Sequence, residues 1–123
     1  MARILIIDDE PEIITLTRMM LQKAGYEVIG AESGKKGLEI LEKDKVDLVL
    51  LDVVMPDING WEVCRKIKAD EKLRQIPVVM FTVYDNKEDV MRSHECGADA
   101  HLSKPFNREE LLDVIRRFLI RIF

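Results

Sequence analysis

Three short apolar segments, each followed at once by a polar residue, constrain the fold of this chain most strongly. They span residues 4–7, 46–51 and 76–81, and weaker segments of the same kind lie near 27–31 and 98–102. Short, mostly apolar runs are typical of strands that are buried on both faces of a parallel sheet. The sequence therefore predicts five such strands.

Longer stretches with helical spacing separate the predicted strands. In the first stretch, apolar positions recur every three or four residues, which gives a helix one apolar face, and Gly25 follows as a stop. A second helix is predicted after Ser33, its N-cap, with Leu38 and Leu41 on its inner face, and a third over residues 60–69. The positions on the first face are Ile13, Leu16, Thr17, Met20, Leu21 and Ala24.

Two further helices are marked by their first turns. Asp85 precedes Glu88 by three residues, and Asn107 precedes Glu110 by three, which is the spacing of a capping residue and the carboxylate that returns its hydrogen bond. We therefore expect a fourth helix to begin at Asp85 and a fifth at Asn107. The fifth carries an apolar stripe of Leu111, Ile115, Phe118 and Ile122, with Leu112 and Leu119 beside it.

Strict alternation of strands and helices predicts an α/β fold. Parallel neighbours need crossover helices, so the expected architecture is a five-stranded parallel sheet, doubly wound in the flavodoxin-like manner, with five flanking helices. The 123 residues suit one domain, and no linker or repeat divides them. We assign residues 1–123 to a single domain.

Charge, cysteine content and hydropathy exclude several functions. A net charge of -4 argues against direct binding of nucleic acid, which needs clustered lysine and arginine. Cys64 and Cys96 fit no metal-binding or C-x-x-C spacing and are expected to be buried thiols in a reducing compartment. No signal peptide and no membrane-spanning run is found. A cytoplasmic protein that does not enter a membrane is expected.

Polar side chains follow four of the predicted strands. Asp8 and Asp9 end the first strand, Asp52 the third and Thr82 the fourth, while Lys104 follows the fifth. In an open α/β sheet the carboxyl ends of the strands form the ligand-binding edge. Three carboxylates at one edge repel each other unless a cation joins them, and oxygen ligands favour Mg2+ when the substrate is a phosphate.

Thr82 and Lys104 add hydrogen-bond donors to this acidic edge. A hydroxyl and an ammonium group facing a metal-bound carboxylate are suited to phosphate oxygens, and the ammonium would neutralise charge that develops during phosphoryl transfer. Pro105, which follows Lys104, is compatible with either a simple turn or a cis peptide bond that aims the lysine. Together these residues point to phosphoryl chemistry.

Five sequence blocks in this order form a family pattern: Ile7-Asp8-Asp9-Glu10, Leu51-Asp52-Val53-Val54-Met55-Pro56-Asp57, Gly60, Phe81-Thr82 and Lys104-Pro105-Phe106. The chain resembles the receiver domain of two-component response regulators, in the stand-alone, chemotaxis-type form, over nearly its whole length. The resemblance implies a phosphorelay switch that takes a phosphoryl group from the phosphohistidine of a sensor kinase or a phosphotransfer protein.

The same resemblance assigns roles to individual residues. Asp52 would accept the phosphoryl group, with Thr82 and Lys104 holding the phosphoryl oxygens. Mg2+ would be bound by Asp8, Asp9, the Asp52 carboxylate and the backbone carbonyl of Val54. Such a protein is not an enzyme in the usual sense, since it assists only its own phosphotransfer and slow autodephosphorylation.

Two positions depart from the family pattern. His101 stands where the family often has an aromatic residue that moves with the counterpart of Thr82, so His101 is either part of the switch or a surface residue. Val83 stands where a small residue is usual, and its bulk would narrow access to Asp52 or limit the travel of Thr82.

The family commonly signals or dimerises through its fourth helix, fifth strand and fifth helix. That face includes Met91, His94, His101, Arg116 and Ile120 here, and a downstream protein or a phosphorylation-dependent homodimer is the implied partner. Ile120 and Phe123 are candidates for such a contact or a frayed helix end. Trp61 is expected to pack locally rather than to bind a cofactor.

Three alternative functions make different demands on the sequence. A flavin or nucleotide binder needs a loop after the first strand that is rich in glycine, serine or threonine, whereas this loop is acidic and contains Pro11. A phosphatase of the haloacid dehalogenase type needs a D-x-D motif that neither acidic block supplies. The remaining alternative is a receiver-like docking module that is not phosphorylated, which Val83 keeps open.

Overall fold

The computed structural model describes residues 1–119, over which strands and helices alternate as predicted. The strands are β1 (Arg3–Ile7), β2 (Glu27–Ala31), β3 (Leu48–Leu51), β4 (Val78–Thr82) and β5 (Ala100–Ser103). The helices are α1 (Pro11–Lys23), α2 (Gly34–Lys43), α3 (Gly60–Ala69), α4 (Lys87–Glu95) and α5 (Arg108–Phe118). Over these 119 residues, no helix combines the length and apolar character needed to cross a bilayer.

All five strands pair in parallel in the order β2-β1-β3-β4-β5. The predicted flavodoxin-like class is therefore confirmed. Strand order reverses between β1 and β3, where Ile7 pairs with Leu51, and the residues after this pair are Asp8 and Asp52. Ligands of doubly wound sheets bind at such a switch point.

Alternating side chains of the sheet build two cores. In β1, Leu5 and Ile7 face the side covered by α2 and α3, whereas Ile4 and Ile6 face the side covered by α1 and α5. All four side chains are fully buried. Burial on both faces explains why the strands read as continuous apolar runs.

Side-chain caps fix the starts of four helices. Ser33 and Asn107 cap α2 and α5 as predicted, and Asn107 forms a reciprocal capping box with Glu110. The predicted start of α4 was wrong by one residue, because Asn86 rather than Asp85 caps it and accepts a hydrogen bond from the amide of Asp89. Asn86 and Asp89 have the same spacing as Asp85 and Glu88, so both registers fit the sequence.

Helix α1 also differs from its prediction in one respect. Leu16 is 51% exposed, and the fully inward positions are Ile14, Thr17 and Leu21. Ile14 lies over Gly30, where an added Cβ would come within 2.6 Å of the Ile14 side chain. This close approach sets the rotation of α1 and turns Leu16 outward. The helix ends before Gly25, which has a φ of +96°, as expected of a helix stop.

The apolar stripe of α5 is confirmed as far as the structure describes it. Leu111, Leu112 and Ile115 are buried, and Phe118 and Leu119 pack partly against the same core. The predicted stripe residue Ile122 and the predicted contact residues Ile120 and Phe123 lie outside the described residues.

Candidate functional site

The polar residues predicted at the strand ends lie together at the carboxyl edge of the sheet. Asp8 follows β1, Asp52 follows β3, Thr82 ends β4, and Lys104 follows β5. Asp8 and Thr82 are fully buried, and Asp52 is only 5% exposed. Burial of this many polar groups needs compensating hydrogen bonds or charges.

Lys104 joins two of the carboxylates. Its Nζ lies 2.7 Å from Oδ2 of Asp8 and 3.4 Å from Oδ2 of Asp52. The ammonium also lies 4.8 Å from the centre of the Phe81 ring, a distance that allows a cation–π contact. One buried cation thus holds two buried acids that are far apart in the sequence.

Four carboxylates gather at this edge. Asp8, Asp9, Glu10 and Asp52 each offer an oxygen, and these oxygens all lie within 4.8 Å of one another. Asp9 and Glu10 are exposed, whereas Asp8 and Asp52 are buried. Glu10 was not predicted from the sequence as part of the acidic cluster, although it directly follows Asp9 in the chain. Over residues 1–119, Lys104 is the one cation paired to the buried acids, so the cluster keeps excess negative charge that a divalent cation would neutralise.

The oxygen donors fit Mg2+ in kind and spacing. Mg2+ prefers oxygen ligands at about 2.1 Å, so opposite ligands of an octahedral site lie roughly 4.2 Å apart, close to the spread of this cluster. Asp8 is oriented from both sides, because its Oδ1 accepts a hydrogen bond from the Glu10 amide at 2.9 Å while Oδ2 contacts Lys104. Val54, whose carbonyl was predicted as a ligand, lies in the loop after Asp52 with a half-exposed side chain.

The surroundings of Asp52 raise the pKa of its carboxyl group. Burial is the largest cause of the rise, and the nearby charge of Asp8 adds to it. Lys104, the Thr82 hydroxyl and the Val53 amide act in the opposite direction, and that amide donates to Oδ1 of Asp52 at 2.8 Å. The ionised form of Asp52 is therefore less stable in the folded chain than in water.

This raised pKa predicts a stabilising substitution. Between about pH 4 and the raised pKa, the folded chain binds more protons than the unfolded chain, so stability falls as pH rises through that window. Without Mg2+, Asp52→Asn should raise the free energy of unfolding at pH 7, on the order of 1 kcal/mol. Urea unfolding in EDTA at pH 7 and pH 4 tests this. An equal or larger gain at pH 4 would contradict the assigned cause.

The loop after Asp52 passes very close to the start of α3. A Cβ placed on Gly60 would lie 2.0 Å from the carbonyl oxygen of Asp52, and the Gly60 amide donates to the carbonyl of Val53 at 2.8 Å. At the other end of the loop, the Asp57 carboxylate accepts the amides of Gly34 at 3.2 Å and Lys35 at 2.8 Å. Asp57 thus ties this loop to the start of α2.

Thr82 connects the site to the loop before α4. Its Oγ1 accepts a hydrogen bond from the amide of Tyr84 at 3.2 Å. Val83, between them, is 61% exposed, and its side chain does not fill the buried space around Asp52. The Lys104–Pro105 peptide bond is cis, which decides between the two possibilities left open by the sequence.

His101 belongs to a hydrogen-bonded group that the sequence did not reveal. Its Nδ1 lies 3.1 Å from Oγ of Ser93, and the same hydroxyl accepts the indole N–H of Trp61 at 3.0 Å. Ser93 is the one fully buried residue of α4, so it links α3, α4 and β5. Burial lowers the pKa of His101, while the Tyr84 backbone, Asp85 and Asp89 partly offset this. Trp61 is buried in the core shared with α2 and reaches α4 through its hydrogen bond to Ser93.

A flavodoxin-like sheet with clustered acids and a buried lysine at its carboxyl edge defines a class of proteins, the aspartate-based phosphoacceptor switches. The chain belongs to the response regulator receiver domain family, whose model matches residues 4–116. The predicted family and its function as a two-component phosphoacceptor switch are thereby confirmed.

Individual relatives agree with this assignment. The chain is 39% identical over 119 residues to Protein PilH of Pseudomonas aeruginosa, covering 97% of this chain and 98% of PilH. It is similar in structure to the chemotaxis protein CheY4 of Vibrio cholerae, with a TM-score of 0.92, 34% identity, and coverage of 97% of this chain and 99% of CheY4. It spans about half the length of several other curated relatives.

A third relative was solved with ligands. The response regulator TrrA of Thermotoga maritima, in complex with Mg(2+)-BeF, superposes with a TM-score of 0.87 at 36% identity. The match covers 97% of this chain and 100% of TrrA. PilH, CheY4 and TrrA are thus each matched over nearly their whole length.

Proposed function

We propose that this receiver domain, comprising residues 1–123, takes a phosphoryl group onto Asp52 from the phosphohistidine of a sensor kinase or a phosphotransfer protein. One observation carries the assignment. Asp52 is the buried carboxylate that lies 3.4 Å from the Lys104 ammonium and within 4.8 Å of the other acidic groups of the cluster. Asp8 is also buried, but Lys104 holds its Oδ2 at 2.7 Å, whereas the Lys104 contact to Oδ2 of Asp52 is longer, at 3.4 Å.

The cluster is proposed to bind Mg2+ through Asp8, Asp9, Asp52 and the carbonyl of Val54. Bound to these residues, Mg2+ would neutralise negative charge and favour the ionised carboxylate of Asp52. The complex of TrrA with Mg(2+)-BeF supports this proposal, as does the oxygen-only donor set. Glu10 lies in the same cluster and would add its negative charge beside the bound ion.

Phosphotransfer then requires a single displacement. An Oδ atom of Asp52 attacks phosphorus, the P–N bond to the donor histidine breaks, and the imidazole leaves with that bonding pair and takes up a proton. Lys104 is placed to move from Asp52 to a phosphoryl oxygen while remaining paired to Asp8. It therefore stabilises charge at the transferred group without leaving Asp8 unpaired.

Thr82 and His101 are proposed to report the modification. The Thr82 hydroxyl now accepts the Tyr84 amide, and turning it toward a phosphoryl oxygen would break that hydrogen bond and release the loop before α4. His101 lies partly buried beneath that loop and is held by Ser93. Movement of the loop would therefore change the surroundings of His101 and the position of α4.

The output is proposed to be a change in the α4-β5-α5 face. Val90 and Met91 of α4 are exposed on it, at 40% and 53%. A downstream protein or a homodimer that depends on phosphorylation would bind there, in the cytoplasm, without direct contact to nucleic acid. The protein would act by binding and not by turning over a separate substrate. Because Val83 points outward, its bulk gives little support to a docking module that is never phosphorylated.

Magnesium binding can be tested without phosphorylation. A cation that binds only the folded state raises stability, so saturating Mg2+ at 100 times its dissociation constant should add about 2.7 kcal/mol to the free energy of unfolding. Asp9→Asn should reduce the affinity at least about tenfold, because Asp9 is exposed and available to the ion. Thermal unfolding with Mg2+ titration measures both. Asp113→Asn, exposed on α5, is the matched control and should bind normally.

If Mg2+ stabilises Asp9→Asn as strongly as the unmodified chain at every concentration, the acidic cluster is not the metal site.

A further inference from the structure

We propose that Cys64 and Cys96 form a redox-active dithiol, which closes to an intramolecular disulfide and fastens the end of α4 to α3. From the sequence, these two cysteines were predicted to be separate buried thiols, because they are far apart in the chain. The fold brings them into contact, since Cys64 lies on α3 and Cys96 is the C-cap residue of α4.

The contacts of the two sulfurs define the pair. Sγ of Cys64 lies 3.4 Å from the carbonyl oxygen of Cys96, and both residues belong to the same buried core. The Cys96 thiol also donates to the carbonyl of Ser93 at 3.0 Å. Both sulfurs therefore lie against backbone carbonyls at the end of α4, which places them beside each other.

The two thiols differ in reactivity. The neighbouring Cys64 thiol lowers the pKa of Cys96 to about 7, whereas the Cys96 thiol and burial raise the pKa of Cys64. Thiolate is the nucleophilic form, so Cys96 is the attacking sulfur and Cys64 the resolving one. Cys96 is 4% exposed and Cys64 is fully buried, which agrees with this order.

Access to Cys96 depends on how firmly α4 is held. Ser93 is the only fully buried residue of this helix, and its partners Trp61 and His101 hold it through polar contacts. A cavity of about 130 Å³ lies under the helix beside Ser93 and His101. A helix with so little buried apolar surface opens at low cost, and each opening exposes Cys96.

The reaction balances with a small-molecule disulfide as the oxidant. The Cys96 thiolate attacks one sulfur of oxidised glutathione, whose S–S bond breaks, and one glutathione thiolate leaves. The Cys64 sulfur then attacks Cys96, the mixed disulfide breaks, and the second glutathione leaves with the Cys64 proton. In total, two protein thiols are oxidised to one disulfide and one oxidised glutathione is reduced to two thiols.

The test is intact-mass spectrometry of the full chain after equilibration in glutathione redox buffers, both folded and in urea. The folded chain should lose the mass of two hydrogens and remain monomeric. Its two thiols should show an effective concentration at least about tenfold higher in the native state than in urea. Glutathione does not oxidise the six methionines, so the mass change reports the cysteines alone.

Single variants test the assigned order of attack. Cys64→Ser should accumulate one glutathione on Cys96, whereas Cys96→Ser should remain largely unmodified, because Cys64 is buried and its pKa is raised. If a variant folds poorly, the comparison of the folded wild type with the wild type in urea still tests whether the disulfide forms. The proposal is overturned if the folded wild type carries stable glutathione adducts, forms linked dimers, or closes no more readily than the unfolded chain.

Hydrogen exchange tests whether the disulfide fastens α4. The amides of Lys87–Glu95 should exchange more slowly in the oxidised chain than in the reduced chain, while those of α5 should not change. Unchanged exchange in α4 would overturn the proposed fastening.

Discussion

Gly60→Ala is expected to destabilise the fold by roughly 3 kcal/mol, because the new methyl group would overlap backbone that has no space to move. Its Cβ would lie 2.0 Å from the carbonyl oxygen of Asp52 and 2.9 Å from Cα of Val53. Relief of this contact must shift either α3 or the loop that carries Asp52. Urea unfolding measures the loss of stability, and Mg2+ titration should show weaker binding by the surviving folded protein.

Gly25→Ala is the matched control for Gly60→Ala. Gly25 has a φ of +96°, but an added Cβ meets nothing within 4 Å. Its replacement should therefore cost only the backbone strain, about 1 kcal/mol, and leave Mg2+ affinity unchanged. A Gly60→Ala variant that is no less stable than Gly25→Ala would contradict the close packing of the Asp52 loop against α3.

Lys104→Met should destabilise the chain by about 3–5 kcal/mol in EDTA, because it keeps the apolar stem but leaves two buried carboxylates without their cation. The side chains of Asp8 and Asp52 are 0% and 7% exposed, so water does little to replace the ammonium. Mg2+ should restore part of the loss, since it supplies positive charge to the same oxygens. Urea unfolding with and without Mg2+ measures both effects.

Arg65→Met provides the control for Lys104→Met. Arg65 pairs with Glu62 at 3.4 Å, but both side chains are about half exposed. Such a surface pair contributes less than about 1 kcal/mol, with no dependence on Mg2+. Equal losses in the two variants, or a Lys104→Met loss that Mg2+ leaves unchanged, would contradict a charge-balanced acidic site.

Much of the fold could be predicted because its local signals agree with its packing. Strands that are buried on both faces have uninterrupted apolar sequences, as in β1. The spacing of Asn107 and Glu110 predicted the start of α5. The two errors had different causes. Asp85 and Asn86 are both good caps, so the local sequence did not decide where α4 begins. The outward position of Leu16 depends on the approach of α1 to Gly30 in β2, which is a tertiary contact.

The candidate site could be predicted because a parallel sheet gathers the carboxyl ends of all its strands at one edge. The predicted strands alone therefore placed Asp8, Asp52 and Lys104 close together. Contacts made away from that edge carry no such signal. The grouping of Trp61, Ser93 and His101, and the contact of Cys64 with Cys96, depend on how α4 lies against α3 and β5, which no local spacing encodes.

Phosphoryl transfer to Asp52 is the central claim, and intact-mass spectrometry after incubation with acetyl phosphate tests it most directly. The unmodified chain and Asp52→Asn would be compared with and without Mg2+, with circular dichroism to verify folding. The proposed function predicts a gain of one phosphoryl group in the unmodified chain with Mg2+, and none in Asp52→Asn or in EDTA. An equal gain in Asp52→Asn, or no gain in the folded chain with Mg2+, would contradict it.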